Sequence, residues 1–264
     1  MKMQDDFYIG WQPKSPHSYT KAMSLFIGFL LIVVPLSAFL LVNSQNNFST
    51  ARFEFGKTTE IEGILVKDPV PMLKLEASKT SDGKTHYQNI LLVAFGKRGA
   101  KGDIRKMEQE NGDLQGKLVR LKGTLIYGDG KTLLELTEGK EALLDVKTVA
   151  NIFISQEEKY GTTTLKGEII DPKCYFGVMK PGEGKIHRSC AIRCISGGIP
   201  PVLRIKDTEG NTDYCLLVGS NGENINDKIL EYVASPIEIS GQLSKLDDWL
   251  LFRVDFDAGF KLLY

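Results

Sequence analysis

The sequence has no excess of charge of either sign: Lys and Arg together number 33, Asp and Glu 33, and the formal net charge is zero. A neutral chain lacks the electrostatic footprint that attracts polyanions, so nucleic acid is not an expected class of partner. Catalytic signatures are missing too. There is no Ser-His-Asp order, no paired-carboxylate pattern and no dinucleotide fingerprint. Gly182-Glu183-Gly184-Lys185 suggests a phosphate loop, but Met179 stands where a P-loop needs its first glycine and Ile186 where it needs Ser or Thr. Histidine is scarce at three residues and cysteine at four, so a segment where the two coincide stands out. The rest is globular composition, 42% hydrophobic and 25% charged, which argues against disorder.

Ala22 to Val42, AMSLFIGFLLIVVPLSAFLLV, is 21 residues without a charge. At about 1.5 Å per residue it spans roughly 30 Å, the thickness of a bilayer core. This predicts one transmembrane helix over 22–42, with a kink expected at Pro35. A cleaved signal peptide is the rival, but its apolar core would normally be only about 7–15 residues. Lys2, Lys14 and Lys21 precede the run, and Arg52 and Lys57 follow it. That bias points the leader, 1–21, to the cytoplasm and the soluble region to the periplasmic or extracellular side of the cytoplasmic membrane. Phe7, Tyr8, Ile9 and Trp11 in the leader suit a membrane interface or a partner subunit, or are incidental to an unstructured end. Residues 43–57 are expected to form a polar stalk.

Beyond the stalk remain about 200 residues, enough for two domains of roughly 100 each. Short period-2 runs recur in the same order twice. TTEIEGILVKDP from Thr58, NILLVAFG from Asn89 and KLVRLKGTLIYGDGKTLLEL from Lys117 form the first set. TTTLKGEIIDP from Thr162, YCLLVGSNG from Tyr214 and PIEISGQLSKLDDWLLFRV from Pro236 form the second. Gly63 aligns with Gly167 and Gly123 with Gly241, and a helical stretch precedes each closing hairpin, at 104–109 and 226–233. An internal duplication is the simplest account. The fold class expected is mainly β: two tandem OB-like β-barrels, 58–150 and 151–264, since strand glycines ease the coiling that closes a small barrel. An unrelated β-sandwich is the rival architecture.

The second copy carries an insertion, 171–201, that the first lacks. It holds Cys174, Cys190 and Cys194 together with His187. Ile186–Ser196 reads as a short helix stopped by Gly197-Gly198 and Pro200-Pro201, which puts His187, Cys190 and Cys194 on one face at i, i+3 and i+7. Cys174, after the preceding strand, can close against that face. A Cys3His set suits zinc, another thiophilic metal or haem iron. The same residues also allow a disulfide pinning the insertion to the barrel, or buried cysteines without chemistry. The spacing is neither a haem-attachment C-x-x-C-H nor a redox C-x-x-C. Lys185, Arg188 and Arg193 give the helix a basic face, either solvated or turned to an acidic partner. Cys215 in YCLLV is expected to be an inert core thiol, and His17 and His86 to be exposed.

Asp171, Cys174, His187, Cys190, Ala191, Cys194, Gly197, Gly198 and Pro200 match the pattern D-x-x-C…H-x-x-C-A-x-x-C-x-x-G-G-x-P. In this the chain resembles a group of bacterial secreted or membrane-anchored proteins with OB-like domains. The resemblance covers about thirty residues and implies a functional site without naming its chemistry. Three functions are therefore expected in competition. The first is a non-catalytic binding or assembly subunit of a membrane protein complex. The second is a metal- or haem-handling protein using Cys174, His187, Cys190 and Cys194. The third is an enzyme with a reactive thiol at Cys190 or Cys194.

Overall fold

The computed structural model describes residues 16–46, 51–79, 85–148, 157–206 and 209–263. The chain falls into two compact units, Met1–Phe48 and Ser49–Tyr264. The first contains helix α1, His17–Asn46, which extends past both ends of the apolar run and keeps Pro35 inside it. Its Tyr19–Ser44 stretch of 26 residues contains an 18-residue window of mean hydropathy 2.9, long and apolar enough to span a membrane. Its large side chains point outward on every side, Leu31 at 70% and Ile32 at 69% exposure. A helix apolar all round has no polar face to give to water. The expected stalk is not uniform: it continues α1 to Asn46 and includes a short strand, β1, at Arg52–Phe53. Residues 47–50, like the leader's Phe7, Tyr8, Ile9 and Trp11, lie outside the described residues.

The second unit is built of two barrels. The first uses β2 (Thr59–Val66), β3 (Met72–Lys79), β4 (Thr85–Ala94), helix α2 (Lys101–Asn111), β5 (Leu118–Gly128) and β6 (Lys131–Leu136). The order β2-β3-β4-β6-β5 closes on itself, since β5 pairs both β6 and β2. Only the β4–β6 contact in that circuit is parallel. β1 and β7 (Leu143–Lys147) add to β5 outside the circuit. The second barrel uses β8 (Glu157–Ile170), β9 (Val202–Lys206), β10 (Thr212–Gly219), β11 (Pro236–Leu246) and β12 (Trp249–Val254), with β13 (Phe260–Leu262) added to β11. Its order, β8-β9-β10-β12-β11 closing on β8, repeats the first, parallel β10–β12 contact included. Two closed five-stranded barrels of OB-like topology result, and the β-sandwich alternative falls away.

The aligned glycines explain how both barrels close. A Cβ on Gly63 would strike the carbonyl of Lys74 on β3, and one on Gly167 that of Arg204 on β9. Likewise Gly123 lies against the Glu135 carbonyl on β6, and Gly241 against that of Arg253 on β12. In each barrel the first and fourth strands therefore run close against a neighbour's backbone at a residue with no side chain. The two copies differ in the segment before the closing hairpin. The first has a full helix, α2; the second has only two 3-10 turns, Asn226–Lys228 and Leu230–Tyr232, where one helical stretch was expected. Eight residues nucleate a helix poorly, and here the buried Asn226 side chain is drawn away to other carbonyls, described below.

Each barrel has its own apolar core, one around Leu73, Leu92 and Leu134, the other around Leu203, Cys215 and Phe252. A third core joins them. Met72, Leu91 and Ile126 of the first barrel pack there with Phe176, Tyr214 and Trp249 of the second. Trp249 Nε1 donates to the Asn89 carbonyl at 3.1 Å, and the buried Lys74 pairs with Asp247 at 3.0 Å. The turn between β11 and β12 is thus clamped to β3 and β4 by polar groups with partners.

Candidate metal centre

The insertion is positioned from both ends. After β8 the chain turns through Asp171 and Pro172 into a π-helical turn, Cys174–Val178, whose Phe176 is fully buried in the junction core. It returns as helix α3, Gly184–Ser196, two residues longer at its start than the sequence suggests. The Glu168 carboxylate accepts from Gly184 N at 2.6 Å, a negative charge at the positive end of α3. Arg204 ties Glu168 and Glu183 together there. At the other end the buried Asn226 donates to the carbonyls of Ile195 (2.6 Å) and Ile199 (2.8 Å), satisfying acceptors that the end of the helix exposes.

Gly197 and Gly198 do more than end the helix. Gly99 N of the first barrel donates to the Gly197 carbonyl at 3.0 Å, and a Cβ on Gly197 would collide with the Lys97 carbonyl. Gly198 takes φ +95°, open to glycine at little cost. The motif's glycines are where the 95–99 loop of the first barrel meets α3.

This frame brings the four predicted residues together. Ligand atoms of Cys174, His187 and Cys190 all lie within 4.8 Å of one another. Cys194 is also close to Cys174, in a second group completed by Asp171, again within 4.8 Å. The expected single Cys3His set is therefore arranged as two triads sharing Cys174. Asp171, Cys174, His187 and Cys194 are buried, and Cys190 is half-buried at the rim. All four cysteines are free thiols; Cys174 Sγ and Cys190 Sγ stand 4.0 Å apart, about twice the S–S bond of a disulfide.

Electrostatics around the cluster follow from burial. The Cys174 thiol is pushed far up by hydrogen bonding to Cys194, then by burial and by the Asp171 carboxylate. His187 is held below its ordinary value by burial, with Asp171 pulling the other way. Its Nε2 and Asp171 Oδ2 are buried without a hydrogen-bond partner, while Asp171 Oδ1 accepts from Lys173 N at 2.9 Å. From the first barrel Lys97 Nζ reaches Cys190 Sγ at 2.8 Å, and that bond raises the ammonium above its ordinary value. Chemically the set offers soft sulfur donors, one imidazole and one carboxylate, which fits a thiophilic ion.

No family model and no curated protein matches the chain.

Other expectations resolve individually. Cys215 is fully buried in the second barrel's core, its thiol pushed up to about 12 by burial. His17 and His86 are exposed, but His86 lies on β4, not in a loop, and lines a groove of about 960 Å³ with Lys131, Asp213 and Trp249. The basic face of α3 is only partly solvated: Lys185 and Arg193 are exposed, whereas Arg188 donates to the Glu231 carbonyl at 2.7 Å and to Ser235 at 3.3 Å. Sequence reasoning missed Lys97, Lys173 and Asn226 as parts of the site. Asp171 was in the motif but was not assigned as a ligand. Nothing in their local pattern separates Lys97 from the other lysines, because its role depends on a contact between barrels.

Proposed function

We propose that the chain is a membrane-anchored, extracytoplasmic binding subunit whose site is the Cys/His cluster and whose ligand is a thiophilic metal ion, held first by Cys174, His187 and Cys190. One observation carries this: three donor groups of the right type lie within 4.8 Å of one another, one of them the imidazole of His187, whose buried Nε2 has no hydrogen-bond partner. A buried nitrogen left unpaired costs free energy that a metal bond recovers. Three side chains converging on one point suit a bare ion better than haem iron, whose equatorial plane the porphyrin fills. Zinc is the first candidate, since thiolates with imidazole are its usual structural ligands. The anchor and the lysines before it favour attachment to the cytoplasmic membrane with the barrels outside. An assembly role in a membrane complex is compatible with this reading, with the metal as a structural part.

Metal analysis of the full chain, purified in detergent, beside a count of reactive thiols, tests the proposal. Bound zinc or copper with the cluster thiols shielded is expected, and a lower metal content in His187→Ala. A metal-free protein that does not take up added zinc overturns it; a disulfide between two of the cluster cysteines in that protein would favour a purely structural insertion. For the topology, a reporter active only in the cytoplasm, fused after Tyr264, should be silent.

A further inference from the structure

The two triads meet at one atom. Cys174 Sγ belongs both to the group with His187 and Cys190 and to the group with Asp171 and Cys194. The geometry points to a dinuclear centre in which the Cys174 thiolate bridges two divalent thiophilic ions, one held by His187 and Cys190, the other by Asp171 and Cys194. This rests on the metal reading above and extends it: Asp171 becomes a ligand and a second ion is required.

The need for that second ion comes from what a single one would leave behind. An ion at Cys174, His187 and Cys190 satisfies the imidazole but not Asp171, which is fully buried with Oδ2 unpartnered. Among the described residues Asp171 forms no ion pair, and the ammonium of Lys173, nearby in sequence, is committed to Glu135 and to the carbonyls of Ala94 and Gly96. A buried carboxylate without a cation is expensive. The second triad places a cation against it. Charge agrees: three thiolates and one carboxylate carry four negative charges, and two divalent ions neutralise them inside a site largely closed to water. Lys97, the added cation, sits at the exposed rim. Sulfur bridging is ordinary for thiophilic ions, because a thiolate has lone pairs for two metals. Each ion has three protein ligands, the number zinc takes from protein in sites that keep a fourth position for another ligand.

The test uses the full chain in detergent, stripped by chelator, reduced, and titrated with zinc or cobalt(II). Two equivalents of zinc per chain should remain after desalting. With cobalt(II), the high-spin electron paramagnetic resonance signal should grow over the first equivalent and shrink over the second, because ions sharing a thiolate couple magnetically. Asp171→Asn, Cys194→Ser and His187→Ala should each lower the stoichiometry from two to one. Saturation at one equivalent overturns the second ion while leaving the first proposal intact. Two equivalents without magnetic coupling overturn the bridge. No uptake overturns both readings. Should Cys194→Ser fail to fold, the cobalt titration of the unmodified chain decides alone.

Discussion

The Lys97 ammonium, carried by the first barrel, donates a 2.8 Å hydrogen bond to Cys190 Sγ, carried by the second. Two residues on, Gly99 N bonds the carbonyl of Gly197 at the end of the same helix. The Cys/His cluster is thus not a decoration on one barrel. It lies where two barrels are joined.

Metal removal should therefore loosen the junction as well as the insertion. At free zinc about 100 times its dissociation constant, mass action adds about 2.7 kcal/mol to unfolding. Denaturant unfolding followed by the fluorescence of the buried Trp249, with Trp11→Phe to silence the other indole, should show a higher midpoint with zinc than with chelator. In His187→Ala the gap should shrink. Coincident curves for the unmodified chain would remove the cluster from the list of ligands.

Glycine substitutions separate close approach from mere flexibility. Gly197→Ala places a methyl against the Lys97 carbonyl and should cost about 1–3 kcal/mol, the range for overpacking. Gly102→Ala, on α2 with open space around it, should be neutral or stabilising by up to about 1 kcal/mol through helix propensity. Equal losses at both positions in chemical denaturation would refute the packing argument.

Lys173 and Glu135 form a buried ion pair across the junction. Lys173→Met leaves Glu135 buried without its cation and should cost roughly 3–5 kcal/mol. Adding Glu135→Gln should recover much of that loss, though not all, because the carbonyls of Ala94 and Gly96 also lose a donor. A double-mutant cycle reads the coupling, and simple additivity would mean that the pair contributes nothing.

Cys215 supplies a pH prediction. Burial raises its folded value from the ordinary thiol range to about 12, so the folded chain keeps the proton that the unfolded chain releases. Its contribution to stability is complete below the unfolded thiol value and is lost as pH rises through the folded one. Cys215→Ala should flatten the alkaline side of the stability profile between about 9 and 12. At pH 8 an alkylating reagent should leave Cys215 unmodified in the folded chain and reach it after denaturation. Rapid labelling of native Cys215 would contradict the burial.

Much of this molecule follows from local pattern alone. A charge-free run of 21 residues makes a membrane-compatible helix because length and apolarity are local properties. Alternation along the strands, with Gly63, Gly123, Gly167 and Gly241 at matching places, specifies two barrels because strand period and coiling are written within each segment. Helical spacing likewise aligned His187, Cys190 and Cys194. What only the tertiary structure decided is how these pieces meet. Cys174 closing on α3 could be anticipated from the chain, but its sharing between two triads, with Asp171 as a member, depends on a turn whose path no periodicity encodes. The reach of Lys97 to Cys190, 93 positions away, depends on the docking of one barrel on the other. That docking is set by a third core assembled from residues of both halves, Met72, Ile126, Phe176 and Trp249 among them, and contacts between remote segments leave no trace in the order of neighbouring residues.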